Sequence, residues 1–370
     1  MLSRSDGSLA LDPAFRRWLR RRLLGWYRRE ARRWPWRRTH DSYHVWVAEV
    51  MLQQTRVEVV GKAFPRFVAR FPSLGALASA QLEEVLAAWS GLGYYARARN
   101  LHSAAQWLWQ RGYHGFPRDL PIARKLPGVG AYTAAAVLSI AYNQPLPAVD
   151  ANVRRVLGRV LGSGLEKARD IDWEAIAEKL LDHRAPGESN QALMELGQQL
   201  CTPRAPRCRA CPWQTRCPSA TAPVAESRVP HLQRRKPVTR IDLAAELVFD
   251  RQGRVVVERG VFPYLRHLWL PILRQCAGSS SANGESLGYF IGKFRHAIVR
   301  RQFQVTVFAR SVSAKEADRL LRCVPRDGER RLVTQDELEK LGRSSLLLKS
   351  LALWHKWAQL HGVEFGAALQ

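Results

Sequence analysis

Four cysteines crowded into seventeen residues constrain the fold of this 370-residue chain more than any other feature. The segment CTPRAPRCRACPWQTRC places them with the spacing C-x6-C-x2-C-x5-C. Thiolates this close together can converge on one centre, either a tetrahedral zinc ion or a [4Fe–4S] cluster. Structural zinc sites more often pair two C-x2-C elements across a longer gap, so the compact spacing favours iron–sulfur. The predicted metal ligands are Cys201, Cys208, Cys211 and Cys217.

The character of the chain changes near residue 240. Residues 1–220 consist mainly of amphipathic or buried segments separated by Pro and Gly, which is typical of helices, and the cysteine loop 201–217 closes this region. Residues 221–239 are rich in Pro, Ser and charge, as in a linker. In residues 240–370, DLAAELVFD and RVVVERG predict a β-hairpin, RQFQVTVFARS predicts a further strand, and SAKEADRLLRCV and SSLLLKSLALWHKWAQL predict helices. We therefore expect a multidomain protein with an all-α region followed by a smaller α/β domain.

The composition is strongly basic. The formal net charge is +26, and twelve arginines fall within residues 1–38 against three acids. Such a surplus attracts polyanions, most often nucleic acid, although compositional drift toward arginine is the alternative. Arg204 and Arg207, inside the cysteine loop, are predicted to face a phosphate backbone. The chain shows no membrane-length apolar run and no signal peptide, so we expect a soluble, cytoplasmic and nucleoid-associated protein with no membrane partner.

One carboxylate, Glu49, stands inside the apolar run VWVAEVMLQQTRV. A buried carboxyl group without a partner tends to keep its proton, and a carboxylic acid protonated near neutrality can serve as a general acid. The alternative is a glutamate on the exposed edge of a helix.

Two further stretches are typical of DNA-processing chemistry. LPGVGAYTAAAVLSIAY indicates a tight turn at Gly128 and Gly130 that leads into an apolar helix, which suits a helix–hairpin–helix over about residues 118–140 that grips DNA phosphates. PLPAVDANVRRV places Asp150 just before an amphipathic stretch, where it is either a helix N-cap or a carboxylate facing a developing cation. Two carboxyl groups in unlike settings, one apolar and one polar, suit cleavage of a glycosidic bond.

Six separated motifs occur together in an order typical of one family. They are WPWR at residues 34–37, WVAEVMLQQT, GLGYYARARNLH, LPGVGAYTAAAVLS, VDANV and the four-cysteine loop. Over roughly residues 26–217 the chain resembles adenine DNA glycosylases of the MutY family, within the helix–hairpin–helix glycosylase superfamily. The resemblance implies an all-α glycosylase core with one [4Fe–4S] cluster and a C-terminal Nudix-like domain. It also implies that a monomer removes adenine mispaired with 8-oxoguanine or guanine in double-stranded DNA, during base excision repair.

The resemblance also assigns roles to individual residues. Glu49 matches the catalytic acid that protonates adenine, and Asp150 matches the carboxylate that stabilises the oxocarbenium-like sugar. Tyr132 and Asn152 match residues that hydrogen-bond around these two. The side chains implied to contact DNA are Gln53, Gln54 and Tyr94, which wedge into the duplex, and His296 in the C-terminal domain.

One position separates the chain from some relatives. Endonuclease III-like enzymes carry a Schiff-base lysine where this chain has Tyr132, and they lack an acid at the position of Glu49. The resemblance therefore implies a monofunctional enzyme that leaves an abasic site and an intact backbone. Two other interpretations stay open: a related glycosylase with another base choice, such as thymine or a damaged pyrimidine, and a non-catalytic, cluster-containing DNA-binding protein.

The C-terminal region departs from the family pattern. FRHAIVRRQF aligns its Phe-Arg-His with the family's segment, but Ile298, Val299 and Arg300 stand where the family has Phe-Ser-His, the element that recognises 8-oxoguanine. Discrimination between 8-oxoguanine and guanine therefore stays open, with Arg300 as one candidate reader. No Nudix hydrolase motif is present, so pyrophosphatase activity is not expected. Ala151 replaces a usual glycine but leaves both functional neighbours in place.

Overall fold

A computed structural model describes residues 2–5, 8–162, 171–221, 239–275, 288–298, 301–325 and 327–361. The chain divides into two compact units. The first comprises Met1–Ser79 with Asn100–Gln233, and the second comprises Ala80–Arg99 with Arg234–Gln370. The predicted linker 221–239 lies outside the described residues except at its two ends, and so do Val299 and Arg300.

The region up to residue 221 is helical after a short antiparallel hairpin of β1, Leu2–Ser5, and β2, Ser8–Leu11. This hairpin was not predicted. Helices α1 to α12 follow in chain order: Pro13–Glu30, Ser42–Leu52, Val57–Arg70, Leu74–Ser79, Leu82–Ala88, Ala96–Trp109, Leu120–Lys125, Ala131–Tyr142, Ala151–Leu161, Trp173–Leu180, Pro186–Gln199 and Pro218–Thr221. Among the helices of the described chain, none has the length and apolarity needed to cross a bilayer.

The first unit has its core where α1 meets the later helices. One face of α1 is apolar every three or four residues, and its Leu19, Leu23 and Trp26 pack in the same cluster as Val153 of α9 and Leu193 of α11. Helices α2 and α8 pack against each other, and α8 also contacts α11. Small residues make this close packing possible: a Cβ at Gly187 of α11 would lie 2.6 Å from the carbonyl oxygen of Ser139 on α8. The packing brings the middle of α2, the start of α8 and the start of α9 to one place.

The predicted helix–hairpin–helix consists of α7 and α8, joined by residues 126–130. Pro121 lies in the first turn of α7, where its missing amide costs nothing, and Asp119 caps that helix by accepting the amide of Ile122 at 2.8 Å. Gly128 has φ of +77° in the connecting turn, a conformation that favours glycine. A Cβ there would also lie 2.9 Å from Cβ of Asn100.

The second unit is a mixed sheet with helices on both faces. Its strands are β3 to β8: Thr239–Asp250, Val255–Arg259, Ile272–Gln275, Tyr289–Ile298, Arg301–Val312 and Glu329–Val333. The strand order is β6-β7-β3-β4-β8, with β5 also paired to β3. β3 and β7 run parallel with Thr239 opposite Arg301, and the other pairs are antiparallel. The predicted hairpin of DLAAELVFD and RVVVERG is the β3–β4 pair.

Helices α13, α14 and α15, which span Ala314–Arg322, Gln335–Glu339 and Ser345–His361, also belong to this unit. α15 covers one face of the sheet, where Trp354 stacks on Phe249 with ring centroids 4.8 Å apart. α13 covers part of the other face through Ala317, which packs with Val248 and Val312. A mixed sheet between helices agrees with the α/β prediction.

Candidate active site

Glu49 lies in the middle of α2, a helix buried on almost every side. Asp41 caps the start of α2 by accepting the amide of His44 at 2.8 Å. The Glu49 residue is only 5% exposed, which excludes the alternative of an exposed helix edge. Burial raises the pKa of Glu49 from 4.5 to about 7, although Tyr132 and Arg37 oppose the shift. In a substantial fraction of the molecules, this carboxyl group therefore carries a proton near neutral pH.

Tyr132 holds Glu49 from the neighbouring helix. Because α8 begins just after Gly130, Tyr132 lies in its first turn. The Tyr132 hydroxyl donates to Oε2 of Glu49 at 3.1 Å and lies 2.8 Å from Sδ of Met194 on α11. Burial and the nearby carboxylates raise the pKa of Tyr132 well above 10. The hydroxyl therefore stays protonated and can orient Glu49 without itself losing a proton.

Asp150 is both the N-cap of α9 and a wall of the same site. Its Oδ1 accepts a hydrogen bond from the backbone N–H of Val153 at 2.7 Å, and its Oδ2 accepts one from Nδ2 of Asn152 at 2.7 Å. Asp150 can therefore be both a helix N-cap and a carboxylate that faces a developing cation, because capping holds the carboxylate at the start of the helix. Positive partial charge at that helix start favours a negative carboxylate there.

These groups line one cleft with a volume of about 880 Å³. Glu49, Tyr132, Asp150 and Asn152 all contribute to its wall, so the structure brings together the four predicted catalytic residues. The wall also includes Trp36, Arg37, Gln53, Gln54, Gln191 and Met194. A purine base fits a cleft of this size, which lies within the usual range for ligand pockets.

An ion-pair cluster beside this cleft was missed in the sequence. Glu195 on α11 is fully buried and lies 2.6 Å from Nε of Arg32 and 2.5 Å from Nη2 of Arg37. Burial would raise the pKa of Glu195, but the two arginines outweigh it and lower the pKa below 4.5. The apolar neighbours of Glu195 in ALMELG are the same kind of signal that marked Glu49.

The two predicted wedge glutamines lie at the end of α2. Gln53 is the C-cap residue, and its Nε2 donates to Oγ1 of Thr133 at 3.1 Å. Gln54 has φ of +56°, a left-handed conformation that is strained for a residue other than glycine. Both glutamines line the cleft, and backbone strain such as that at Gln54 is concentrated at functional sites.

The four predicted cysteine ligands line one small cavity between the end of α11 and α12. The Arg159 guanidinium lies over this loop, with Nη1 3.4 Å from Sγ of Cys201. Burial raises the pKa of the Cys211 thiol to about 12. Among the residues that the structure describes, no group of His, Cys, Asp or Glu is placed to hold a single metal ion.

Arg155 connects this loop to the cleft. Its Nη2 donates to Oδ1 of Asn152 at 2.9 Å, and its Nε donates to the carbonyl of Cys201 at 2.9 Å. The two arginines predicted to meet phosphate, Arg204 and Arg207, are both exposed, and Arg207 also donates to the carbonyl of Gln199 at 2.7 Å. The Arg207 side chain is thus already engaged within the loop.

Two predicted DNA contacts, Tyr94 and His296, lie in the second unit. Tyr94 is 53% exposed with φ of +47°, and the Arg97 guanidinium lies 5.6 Å from its ring centroid. His296 is on β6, and its Nε2 lies 3.5 Å from Oγ of Ser345 on α15. Burial, helped by Lys349, lowers the pKa of His296 to about 4, so its ring is neutral at pH 7. His296 and Tyr94 stay predictions as DNA contacts.

Comparison with known proteins finds a family model that matches the region around the cleft. Residues 47–182 match the family model described as "HhH-GPD superfamily base excision DNA repair protein". This region, which contains the hairpin and Glu49, Tyr132, Asp150 and Asn152, is therefore similar to base excision DNA repair proteins of that superfamily. A solved thermostable thymine-DNA glycosylase has the same fold, with a TM-score of 0.51 and 26% identity, covering 55% of this chain and 96% of that one.

Within this class, the chain is similar to curated adenine DNA glycosylases. The Rattus norvegicus protein is 44% identical over 211 residues, which are 54% of this chain and 41% of that protein. The Homo sapiens protein is 42% identical over 207 residues, which are 53% of this chain and 38% of that protein. The chain thus spans about two fifths of the length of these relatives.

Proposed function

We propose that this protein is a monofunctional DNA glycosylase that excises adenine mispaired with 8-oxoguanine or guanine during base excision repair. One observation carries the proposal: Glu49, a buried glutamate with a pKa of about 7, shares a cleft with Asp150, the aspartate that caps α9. Similarity to adenine DNA glycosylases supports the choice of base.

In the proposed reaction, Glu49 is the general acid. The target adenine leaves the helical stack and enters the cleft, because its glycosidic bond is out of reach inside a duplex. Protonated Glu49 then donates its proton to a ring nitrogen of adenine. The electron pair of the breaking bond between C1′ and the base moves onto the protonated ring, so adenine leaves as a neutral molecule.

Asp150 stabilises the sugar that remains. Loss of the base leaves positive charge on C1′ and the ring oxygen, and a carboxylate held beside it lowers the energy of that state. Hydrogen bonds from Val153 and Asn152 keep the carboxylate oriented, so little reorganisation is needed during the reaction. A water molecule then adds to C1′ and gives a proton to the Glu49 carboxylate, which restores the acid and leaves the sugar as an abasic site.

The absence of an amine at residue 132 makes the enzyme monofunctional. Enzymatic strand cleavage by elimination near neutral pH uses a Schiff base between an amine, such as that of a lysine, and C1′. Tyr132 instead donates a hydrogen bond to Glu49, and its raised pKa keeps it protonated. The DNA backbone should therefore stay intact until alkali is added.

The cysteine loop suits a [4Fe–4S] cluster with a structural role, held by Cys201, Cys208, Cys211 and Cys217. The four thiols line one cavity, which suits a group bound by all four of them. Burial raises the pKa of Cys211 and Cys217, so these thiols need a nearby cation to ionise. When bound, such a cluster cross-links the end of α11 to α12 and orders the arginine-bearing loop between them.

We further propose that the second unit is a Nudix-like domain that reads the base opposite adenine. A mixed sheet between α13 and α15 supports this assignment. Ile298 ends β6 where the family carries its lesion-reading element, so this unit lacks the family's serine contact to the oxidised base.

A panel of duplexes tests the proposal. The whole protein is incubated with A:8-oxoguanine, A:G, T:G and A:T duplexes, and products are separated with and without alkali. We expect alkali-dependent breaks at adenine in the first two duplexes only. Cleavage at thymine in T:G would favour a thymine glycosylase, which the solved thymine-DNA glycosylase of like fold makes the second candidate. Tight binding without alkali-labile product would support a non-catalytic role.

A further inference from the structure

An open sheet face in the second unit differs from every surface used by the proposed reaction. The outward side of β6 and β7 carries two aromatic rings beside cationic and hydrogen-bonding side chains. The surface that we call the open face consists of Phe290, Lys293, Arg295, Gln304, Thr306 and Phe308. The opposite side of the same strands packs against α15.

A β-bulge assembles the open face. Phe290 pairs with Phe308 and Lys293 pairs with Thr306, and the register shifts between Phe290 and Gly292. In a regular strand, residues three apart point to opposite faces. The bulge therefore puts the phenylalanine ring and the ammonium group on one side, with Nζ of Lys293 5.9 Å from the Phe290 ring centroid.

The exposure of Phe290 is unusual for an aromatic ring in a sheet. Phe290 is 55% exposed, and its ring centroid lies 6.2 Å from that of Phe308 in an edge-to-face arrangement. A cross-strand aromatic pair stabilises a sheet through contact between the two rings, and that effect does not require a bare ring face. Exposed apolar surface rimmed by polar groups instead marks a contact site.

The charges around the ring favour a polyanion. Arg240, Lys293 and Arg295 are exposed on this face, and Asp242 is the exposed acid that the register of β3 places among them. At the far end, Glu246 is buried against Arg310 and so adds no free negative charge. The exposed aromatic and the surplus of cations together match unpaired nucleotides, whose bases stack while their phosphates meet Lys and Arg.

We propose that the open face binds single-stranded DNA, contacting about two or three nucleotides, with a base stacked on Phe290. Lys293 and Arg295 contact the phosphates, and Gln304 and Thr306 offer hydrogen bonds to the base edge. The choice of DNA over RNA rests on the proposed function.

Binding of the full-length protein to a fluorescent oligothymidylate of about ten residues tests the site. Phe290→Ser should weaken binding by about fivefold or more, since stacking of one base on an aromatic ring contributes at least that factor. Phe290→Tyr, which keeps an aromatic ring, should bind the oligothymidylate with wild-type affinity. Tyr289→Ser is the matched control, because this neighbouring exposed ring faces the other side of the strand, near Trp357. The control should change affinity by less than about twofold.

Two further readouts locate and interpret the effect. A strand of the same length with abasic residues should bind the wild type about as weakly as oligothymidylate binds Phe290→Ser, because both lack the stacked base. Photocrosslinking with 5-iodouracil should label the Phe290 region. Equal affinity of wild type and Phe290→Ser, or crosslinks confined to the unit that contains Glu49, would overturn the proposal. Adenine excision by Phe290→Ser should equal that of the wild type. A loss of excision would show that Phe290 serves the proposed glycosylase reaction and not a separate single-strand site.

Discussion

Replacing Glu49 with glutamine should make the protein more stable at pH 8, although the same change removes the proposed proton donor. Glutamine has nearly the same shape as glutamic acid but never ionises. The Glu49 residue is 5% exposed in the middle of α2, and burial disfavours its charged form. An ionised Glu49 is therefore a cost to the folded state that glutamine does not carry.

The size and direction of this effect follow from the pKa of Glu49. The pKa is about 7 in the folded protein, against 4.5 for an ordinary glutamate. At roughly 1.4 kcal/mol per tenfold change, the difference corresponds to about 3 kcal/mol. The folded state binds more protons between these two pH values, so stability falls as pH rises from 4.5 to 7. Below 4.5 both states are protonated and the cost vanishes.

Thermal melting of wild type and Glu49→Gln at pH 5 and pH 8 measures the difference. For a unit of this size, about 3 kcal/mol corresponds to a melting temperature roughly 6–12 °C higher for the variant at pH 8, with a much smaller gap at pH 5. Glu58→Gln is the control, since Glu58 lines the same cleft but its side chain is 65% exposed. A gap between wild type and Glu49→Gln that is the same at both pH values would refute the reasoning.

Three other variants test separate parts of the site. Asp150→Asn should slow adenine excision by about 100-fold or more while leaving the melting temperature nearly unchanged, because asparagine still caps a helix; single-turnover rates and melting curves check both. Tyr132→Phe removes a hydrogen bond that lowers the pKa of Glu49, so the alkaline fall in excision rate should move to higher pH, and a pH–rate profile with an unmoved limb would contradict this. Cys211→Ser should lose iron and visible absorbance, whereas the exposed Cys323→Ser should keep both; iron analysis decides.

Local patterns predicted the parts of the fold that depend on neighbouring residues. The turn at Gly128 and the hairpin of β3 and β4 follow from short stretches whose turn residues restrict the backbone. The burial of Glu49 likewise follows from the apolar residues on both sides of it. A carboxyl group among such neighbours has few ways to reach water.

Long-range pairing was beyond these patterns. β3 and β7 pair in parallel although they lie far apart in the chain, and the grouping of Ala80–Arg99 with the C-terminal residues depends on tertiary contacts. The same holds for Glu195, whose partners Arg32 and Arg37 come from another part of the chain. No periodicity or spacing encodes which distant element completes such a pair.

The most direct test of the account is the single-turnover rate of adenine excision by Glu49→Gln from an A:8-oxoguanine duplex. A buried proton donor predicts a loss of about 100-fold or more, because general acid catalysis contributes at least that factor. Affinity for the duplex should stay within about threefold of wild type, and Glu58→Gln should excise adenine normally. Excision by Glu49→Gln within about threefold of the wild-type rate would show that the proton comes from elsewhere.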